Sequence, residues 1–175
     1  MSIFTTLNEI REYSPCSAGW SKLLKSLDKT HADDEPLALE HILDSNGLDD
    51  ALWALRVVKG HEKDLGLFAC RCARLVLPIF EEKYPEDDRP RKAIEAAEAF
   101  ALGQIDKAEL AKAARAADAA DVAYAAYVAA VCAFYAAAAY AAAAYAAATY
   151  AADAPTRAEI EKLFRGMCRG EGIPS

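Results

Sequence analysis

Residues 111–152 read AKAARAADAADVAYAAYVAAVCAFYAAAAYAAAAYAAATYAA, and 26 of these 42 positions are alanine. Alanine is the strongest helix former, so this composition predicts helix along the stretch. The part from Val122 to Ala152 contains no charged residue. Because its side chains are small, such a surface can be buried only by close contact between backbones. The stretch therefore predicts an all-α protein with a long helical section rich in alanine and tyrosine.

The spacing of the bulky residues changes within this section. From Tyr124 to Phe134 they follow the a and d positions of a heptad, whereas from Tyr135 to Tyr150 tyrosine recurs at every fifth position. One unbroken helix over residues 106–152 would be about 70 Å long, more than a compact domain of this size accommodates. We therefore expect two packed helices, with a single helix enclosed by its neighbours as the alternative.

The rest of the chain has the apolar periodicity of amphipathic helices. Its 175 residues fit one domain, a multi-helix bundle. We divide it into a mixed helical part (1–104), the alanine-rich helices (105–153) and a C-terminal helix (155–170).

Local signals place several helix ends. Residues 3–13 are predicted to form a first helix, and Pro36 to open one that ends at Asn46-Gly47. A long helix is expected over residues 61–83 with Ile79 facing inward, and Pro78 should kink it or end it early.

The charge balance restricts the partners. The formal net charge is −7, which argues against a nucleic-acid binder with a basic stripe and permits a basic protein partner. The uncharged run is long enough to span a bilayer. It has few strong hydrophobes, however, and its tyrosines recur through the middle rather than at two interfaces, so we expect no membrane insertion.

The cysteines and the N-terminus predict a cytoplasmic protein. Five scattered cysteines, an odd number, are typical of reduced thiols rather than of a disulfide framework. The first residues, MSIFTTLNEIREYS, lack the pattern of a signal peptide.

No pattern predicts catalysis, a cofactor or a metal. His61-Glu62 lacks the second histidine of a zinc protease helix, and there is neither a G-x-S-x-G elbow nor a glycine-rich phosphate loop. Asp33-Asp34-Glu35 and Asp49-Asp50 could form an acidic recognition patch or a cation site, although their spacing matches no calcium loop. The alternative is helix-start charge and a solvated loop.

Trp53 and Arg56 lie three residues apart and share a helix face. These residue types are enriched in the energetic hot spots of interfaces. Arg56 could stack on Trp53, or pair with Asp33, Asp34 or Glu62. In the structural interpretation, Trp53 belongs to the core and Arg56 tethers the acidic loop to it.

The tyrosines of the alanine-rich section are a second candidate surface. Rings such as those of Tyr140 and Tyr145 could line a groove for a peptide or a planar ligand. Alternatively, each ring fills the gap left by alanines on a facing helix.

The segment 20–56 resembles a known family. It carries a W-x₂-LL pattern and then LDKTHADDEPLALEHILDSNGLDDALWALR. It is similar to the immunity-5-like immunity proteins of polymorphic-toxin systems and phages. The resemblance rests on four elements: a K-T-x-A-D-D-E-P loop at Lys29–Pro36, an S-N-G-L-D-D-A-L-W motif at Ser45–Trp53, a helix with Arg71 and Arg74, and the alanine-rich residues 111–152.

The resemblance implies an α-helical, non-enzymatic protein that binds and neutralises another protein, either a toxin or a defence effector. The candidate partner-binding residues are Asp33, Asp34, Glu35, Asp49, Asp50, Trp53, Arg56, Tyr140 and Tyr145. Two alternatives stay open: a ligand-sequestering or enzymatic module with a tyrosine-lined groove, and an acidic DNA mimic. The alanine-rich helices also offer a surface for a homodimer.

Overall fold

The computed structural model describes residues 2–118 and 154–171, and helices dominate this part of the chain. Its elements are β1 (Phe4–Thr5), α1 (Leu7–Glu12), α2 (Ser17–Ser26), β2 (Leu37–Ala38), α3 (Leu39–Asn46), α4 (Leu48–Ala54), a 3-10 helix (Leu55–Val57), α5 (Glu62–Lys83), α6 (Arg89–Ala101), α7 (Lys107–Asp118) and α8 (Ala154–Arg169). The all-α prediction is confirmed. The two-helix prediction for residues 106–152 lies, beyond Asp118, outside the described residues.

Two short strands, β1 at the N-terminus and β2 just after Pro36, lie where helices were predicted to begin. β1 and β2 pair antiparallel, with Phe4 opposite Ala38. Ile3 extends this pairing, because its carbonyl accepts from the Leu39 amide at 3.2 Å and its amide donates to the Cys168 carbonyl at 3.1 Å. The predicted helix starts at residue 3 and at Pro36 were therefore wrong. The first helix begins only after Thr6, which forms a capping box with Glu9.

Backbone geometry at Gly47 separates α3 from α4. Gly47 has a φ of 99°, a left-handed conformation that favours glycine, and the helix end predicted at Asn46-Gly47 is confirmed. Asp49 and Asp50 lie in the first turn of α4, as expected. This turn brings α3 and α4 into contact, and α2 packs on α3.

Helix α5 is the longest described element and passes through Pro78 without ending. Val76, Leu77 and Phe80 are buried on either side of the proline, so packing holds the helix together where one backbone hydrogen bond is missing. Ile79 is 52% exposed, which contradicts its predicted inward position. At this end of α5, the face that carries Val76 and Phe80 packs into the core, and Ile79 lies on the exposed side.

Helices α6 and α7 continue the bundle from α5. Arg74 of α5 donates to both carboxylate oxygens of Glu98 in α6, each at 2.6 Å. Asp106 caps α7 by accepting from the Glu109 amide at 2.9 Å, and the Glu109 carboxylate accepts from the Asp106 amide at 3.3 Å. The spacing of the two residues in the sequence, an N-cap aspartate with a glutamate three positions later, predicts this capping-box start.

Helix α8 packs against α5 and α3. Phe164 is fully buried and meets Phe68 edge to face, with 5.9 Å between ring centroids. Three arginines of α8 pair with acids of α3 and α4: Arg157 with Asp49 (2.8 Å), Arg165 with Asp44 (2.7 Å) and Arg169 with Glu40 (2.9 Å). No helix in residues 2–118 or 154–171 combines the length and apolarity needed to cross a bilayer.

Candidate functional site

A cleft of about 70 Å³ lies where α1, α2, α3 and α4 meet. Both tryptophans of the chain, Trp20 and Trp53, line it, and each is only partly buried. We call it the tryptophan cleft. Its lining residues are Ile10, Pro15, Cys16, Gly19, Trp20, Leu23, Ile42, Asn46, Asp50, Trp53 and Ala54. A mostly apolar wall with a few polar groups is the usual make-up of a binding site.

Asn46 and Asp50 form the polar side of the tryptophan cleft. The Asn46 amide nitrogen donates to the Gly19 carbonyl at 2.8 Å and to Oδ2 of Asp50 at 2.7 Å. No cation in the described part of the chain forms an ion pair with Asp50. The carboxylate is therefore fixed in position while its negative charge has no counter-charge beside it.

Gly19 makes this arrangement possible. A Cβ at this position would lie 2.7 Å from Oδ2 of Asp50 and 3.2 Å from Sγ of Cys16. Only glycine lets α2 approach the Asp50 carboxylate so closely without displacing it. Gly19 lies in the first turn of α2, where its amide donates to Sγ of the N-cap residue Cys16 at 3.3 Å.

Arg56 stacks on Trp53 beside the cleft. The guanidinium carbon lies 4.4 Å from the indole centroid, and Nε donates to the Trp53 carbonyl at 2.8 Å. Partial burial lowers the pKa of Arg56 from its ordinary value. Of the arrangements predicted for Arg56, stacking is the one found. Among the described residues it pairs neither with the acidic loop nor with Glu62.

The acidic loop Asp33-Asp34-Glu35 is occupied by its own neighbours. Lys29 pairs with Asp33 and with Glu35, and the hydrogen bond from Lys29 lowers the pKa of Asp33. Asp34 accepts from the Asn8 side-chain amide at 2.8 Å. The loop is therefore tied to α1 and partly neutralised.

The sequence-predicted residues thus fall into separate places. Asp50 and Trp53 line the cleft with Arg56 beside them, whereas Asp49 pairs with α8. Tyr140 and Tyr145 lie outside the described residues. Within the described ranges no group of acidic, histidine or cysteine side chains could hold a metal ion.

Asp50 and Trp53 were predicted as site residues, and the other nine residues that line the cleft were not. Cys16, Gly19, Trp20 and Asn46 enter it from α2, its N-terminal cap and α3. Gly19 was the available signal, since a glycine beside a tryptophan inside an amphipathic helix indicates close approach of another element.

The pairs that most resemble catalytic groups in the described residues are structural. Oγ of Ser26 lies 2.9 Å from Nε2 of His41, but it also donates its proton to the Leu23 carbonyl at 2.8 Å. The Leu23 carbonyl therefore competes with the imidazole for the hydroxyl proton, which a nucleophile would have to give to its base. Burial raises the pKa of Cys168 to about 12 and also raises that of Cys72, so neither thiol ionises readily.

Comparison with known proteins gives one family. A family model described as "Imm-5 like putative immunity protein" matches residues 56–165, well over half of the chain. The matched range begins at Arg56 and includes α5, α6, α7, the alanine-rich section and most of α8. No curated protein and no solved structure matches the chain.

Proposed function

Because the chain belongs to the Imm-5-like family of immunity proteins, we propose that it binds another protein, a toxin or a defence effector, and neutralises it by occlusion rather than by catalysis. The sequence resemblance had implied the same family from residues 20–56, from Arg71 and Arg74, and from residues 111–152, so it overlaps the matched range in part. The proposed encounter takes place in the cytoplasm, where reduced thiols such as Cys72 and Cys168 persist.

The observation that carries the proposed contact surface is the stacked pair of Trp53 and Arg56 beside the tryptophan cleft. A half-buried indole has apolar surface left to bury, and tryptophan and arginine dominate the energetics of interfaces. The cleft next to the pair offers the concave neighbour into which a partner group can insert.

The geometry of Arg56 also favours binding. Stacking and the bond from Nε to the Trp53 carbonyl hold the guanidinium in place, so less side-chain entropy is lost when a partner binds. Its terminal nitrogens have no acceptor among the described residues. A carbonyl or carboxylate of the partner would complete the hydrogen bonding of this group.

Other acidic residues support the proposed surface less. Lys29 neutralises part of the loop at Asp33, and α8 engages Asp44 and Asp49. Acids already held by internal cations are poor phosphate substitutes, so this arrangement does not favour the DNA-mimic alternative. Asp50 is the acidic side chain that lies in the cleft without such a cation.

Co-expression tests the proposal. The chain is expressed in a bacterial host together with the product of each gene that neighbours its own, and growth is measured wherever that product arrests it. We expect the chain to restore growth and to co-purify with the gene product that arrests it. Trp53→Ala and Arg56→Ala should abolish both effects while circular dichroism stays unchanged.

Arg91→Ala is the matched control, because Arg91 is exposed on α6 and pairs with Glu81 away from the cleft. It should restore growth as well as the wild-type chain does. Failure of the wild-type chain to relieve any arrest contradicts the proposed function. Relief that survives both Trp53→Ala and Arg56→Ala contradicts the proposed surface.

A further inference from the structure

We propose that the tryptophan cleft takes a cationic side chain, a lysine or an arginine, of the protein that this chain binds. The inference rests on the proposed function and specifies the chemistry of the contact. It follows from three features of the described residues: a carboxylate without a counter-charge, two indoles around the same small space, and a volume that suits the end of a basic side chain.

The charge comes from Asp50. Its Oδ2 accepts from Asn46, which fixes the carboxylate against the cleft and leaves its charge unneutralised. Asp50 is partly buried, so a cation that reaches it meets a medium less polar than bulk water, where attraction is stronger. A charge-assisted hydrogen bond to this group is the strongest single contact that the cleft can offer.

The indoles select for the same ligand. Trp20 and Trp53 line the cleft from α2 and α4, and tryptophan is the best aromatic partner for a cation. An apolar side chain could also fill the space, but it would remove water from the Asp50 carboxylate without replacing its hydrogen bonds. That cost favours a ligand with a positive end and an apolar stem.

The size of the cleft agrees with this occupant. Its volume of about 70 Å³ is that of about two water molecules at roughly 30 Å³ each. The terminal amine of lysine and the methylene group next to it have about that size, and the rest of the stem lies along the rim. A whole aromatic side chain would be too large.

In the described part of the chain, Arg56 and Lys22 contact residues that line the cleft. Arg56 is held over Trp53 and does not line the cavity. Lys22 donates from Nζ to the Asn46 carbonyl at 3.2 Å and also lies outside the lining. Neither forms an ion pair with Asp50, so the cleft can still accept a cation from outside.

Small probes test the inference without the partner. Because the chain has only two tryptophans and both line the cleft, each of the two indole N–H signals in a ¹H–¹⁵N NMR spectrum reports on this site. We titrate the full chain with n-butylammonium, with n-propylguanidinium and with neutral n-butanol. We expect saturable shifts of the indole signals with the cations, at the millimolar affinity usual for so small a ligand, and none with butanol.

Substitutions at neighbouring aspartates separate the charge from the fold. Asp50→Asn keeps an acceptor for Asn46 but removes the charge, and should weaken cation binding at least tenfold. Asp49→Asn is the matched control: it removes the adjacent charge in the same helix turn, outside the cleft, and should leave binding unchanged. Well-dispersed amide spectra of both variants verify that they are folded.

Three results would overturn the inference: no indole shift with either cation, equal shifts with butanol, or unchanged binding by Asp50→Asn. If any of these three results is obtained while the chain still restores growth in co-expression, the cation site is refuted and the proposed function stands. Saturable, Asp50-dependent shifts without any relief of growth arrest refute the proposed function and leave the cleft as a cation site. The relative affinity of butylammonium and propylguanidinium tells lysine from arginine.

Discussion

Replacing Phe164 by alanine should destabilise the N-terminal helices as well as α8. Phe164 is fully buried, and its ring meets that of Phe68 in α5 edge to face. Truncating a buried phenylalanine costs about 3–5 kcal/mol in total, of which the lost edge-to-face pair accounts for about 0.5–1.5 kcal/mol. We therefore expect a loss of about 4 kcal/mol, a large part of the roughly 5–15 kcal/mol that stabilises a typical domain.

Urea unfolding followed by two signals measures this loss. Tryptophan fluorescence reports on α2 and α4, where the only tryptophans lie, and far-UV circular dichroism reports on the helices throughout. With a slope of about 2 kcal/mol per molar urea, the midpoint should fall by about 2 M in both signals. Phe164→Leu is the control, because it keeps most of the volume and should cost under about 1.5 kcal/mol.

The coincidence of the two signals tests a further proposal, that residues 1–175 form one domain. If α8 completes the core, both transitions shift together. A fluorescence transition that stays at the wild-type midpoint while the helical signal melts early would refute the reasoning. It would mean that the helices around the tryptophans do not depend on the packing of α8.

Four other predictions can be checked separately. Trp53→Ala should lower the free energy of unfolding by about 2 kcal/mol in urea unfolding, less than for a fully buried tryptophan, because the ring is partly exposed. A loss above about 4 kcal/mol would place the ring in the core. Lys29→Gln should raise the pKa of Asp33 toward its ordinary range in an NMR titration, because the hydrogen bond from Lys29 lowers this pKa. The stability that the pair contributes is present above the ordinary carboxyl pKa, and it is lost as the pH falls through the lowered pKa of Asp33. Cys16 should react with iodoacetamide in the native protein well before the buried cysteines do, and peptide mass spectrometry measures the rates. Equal rates would contradict the described burial. If the alanine-rich section forms a homodimer, sedimentation at micromolar concentration should show a dimer that Ala138→Glu abolishes, whereas an 18.9 kDa monomer of the wild-type chain would exclude it.

The proposed interface joins two opposite charges on one small surface. Arg56 presents donors above Trp53, and Asp50 presents a carboxylate within the cleft. A partner that satisfies both must offer an acceptor and a cation at matching positions, which excludes most other proteins. Specificity would then come from this pairing rather than from the net charge of −7, whose main effect is on the rate of encounter.

Much of the local structure could be predicted because its causes lie within a few residues. The capping box of Asp106 and Glu109 and the positive φ of Gly47 follow from side chains and backbone freedom at the positions themselves. The all-α class likewise follows from helix propensity summed over long segments, with alanine as its largest source. The stacking of Arg56 on Trp53 needed only helical spacing.

Tertiary structure decided the features that depend on distant partners. The strands at Phe4 and Leu37 form because each supplies the other's hydrogen bonds across more than thirty residues, and this pairing overrides the local helix signal. Ile79 is exposed because the packing of α5, not its periodicity alone, selects the buried face.

The candidate site divides in the same way. The sequence by itself marked Asp50, Trp53 and Arg56 through residue type and helical spacing. Only the packing of four helices joined them to Trp20 and Asn46, because a cleft is made by elements that are far apart in the chain. Tertiary structure also removed Asp49 from the site by pairing it with Arg157 of α8, whereas Asp33 is neutralised locally by Lys29, four residues away. The physical reason is range: propensity and capping act over one or two helical turns, whereas burial and charge pairing depend on which surfaces meet.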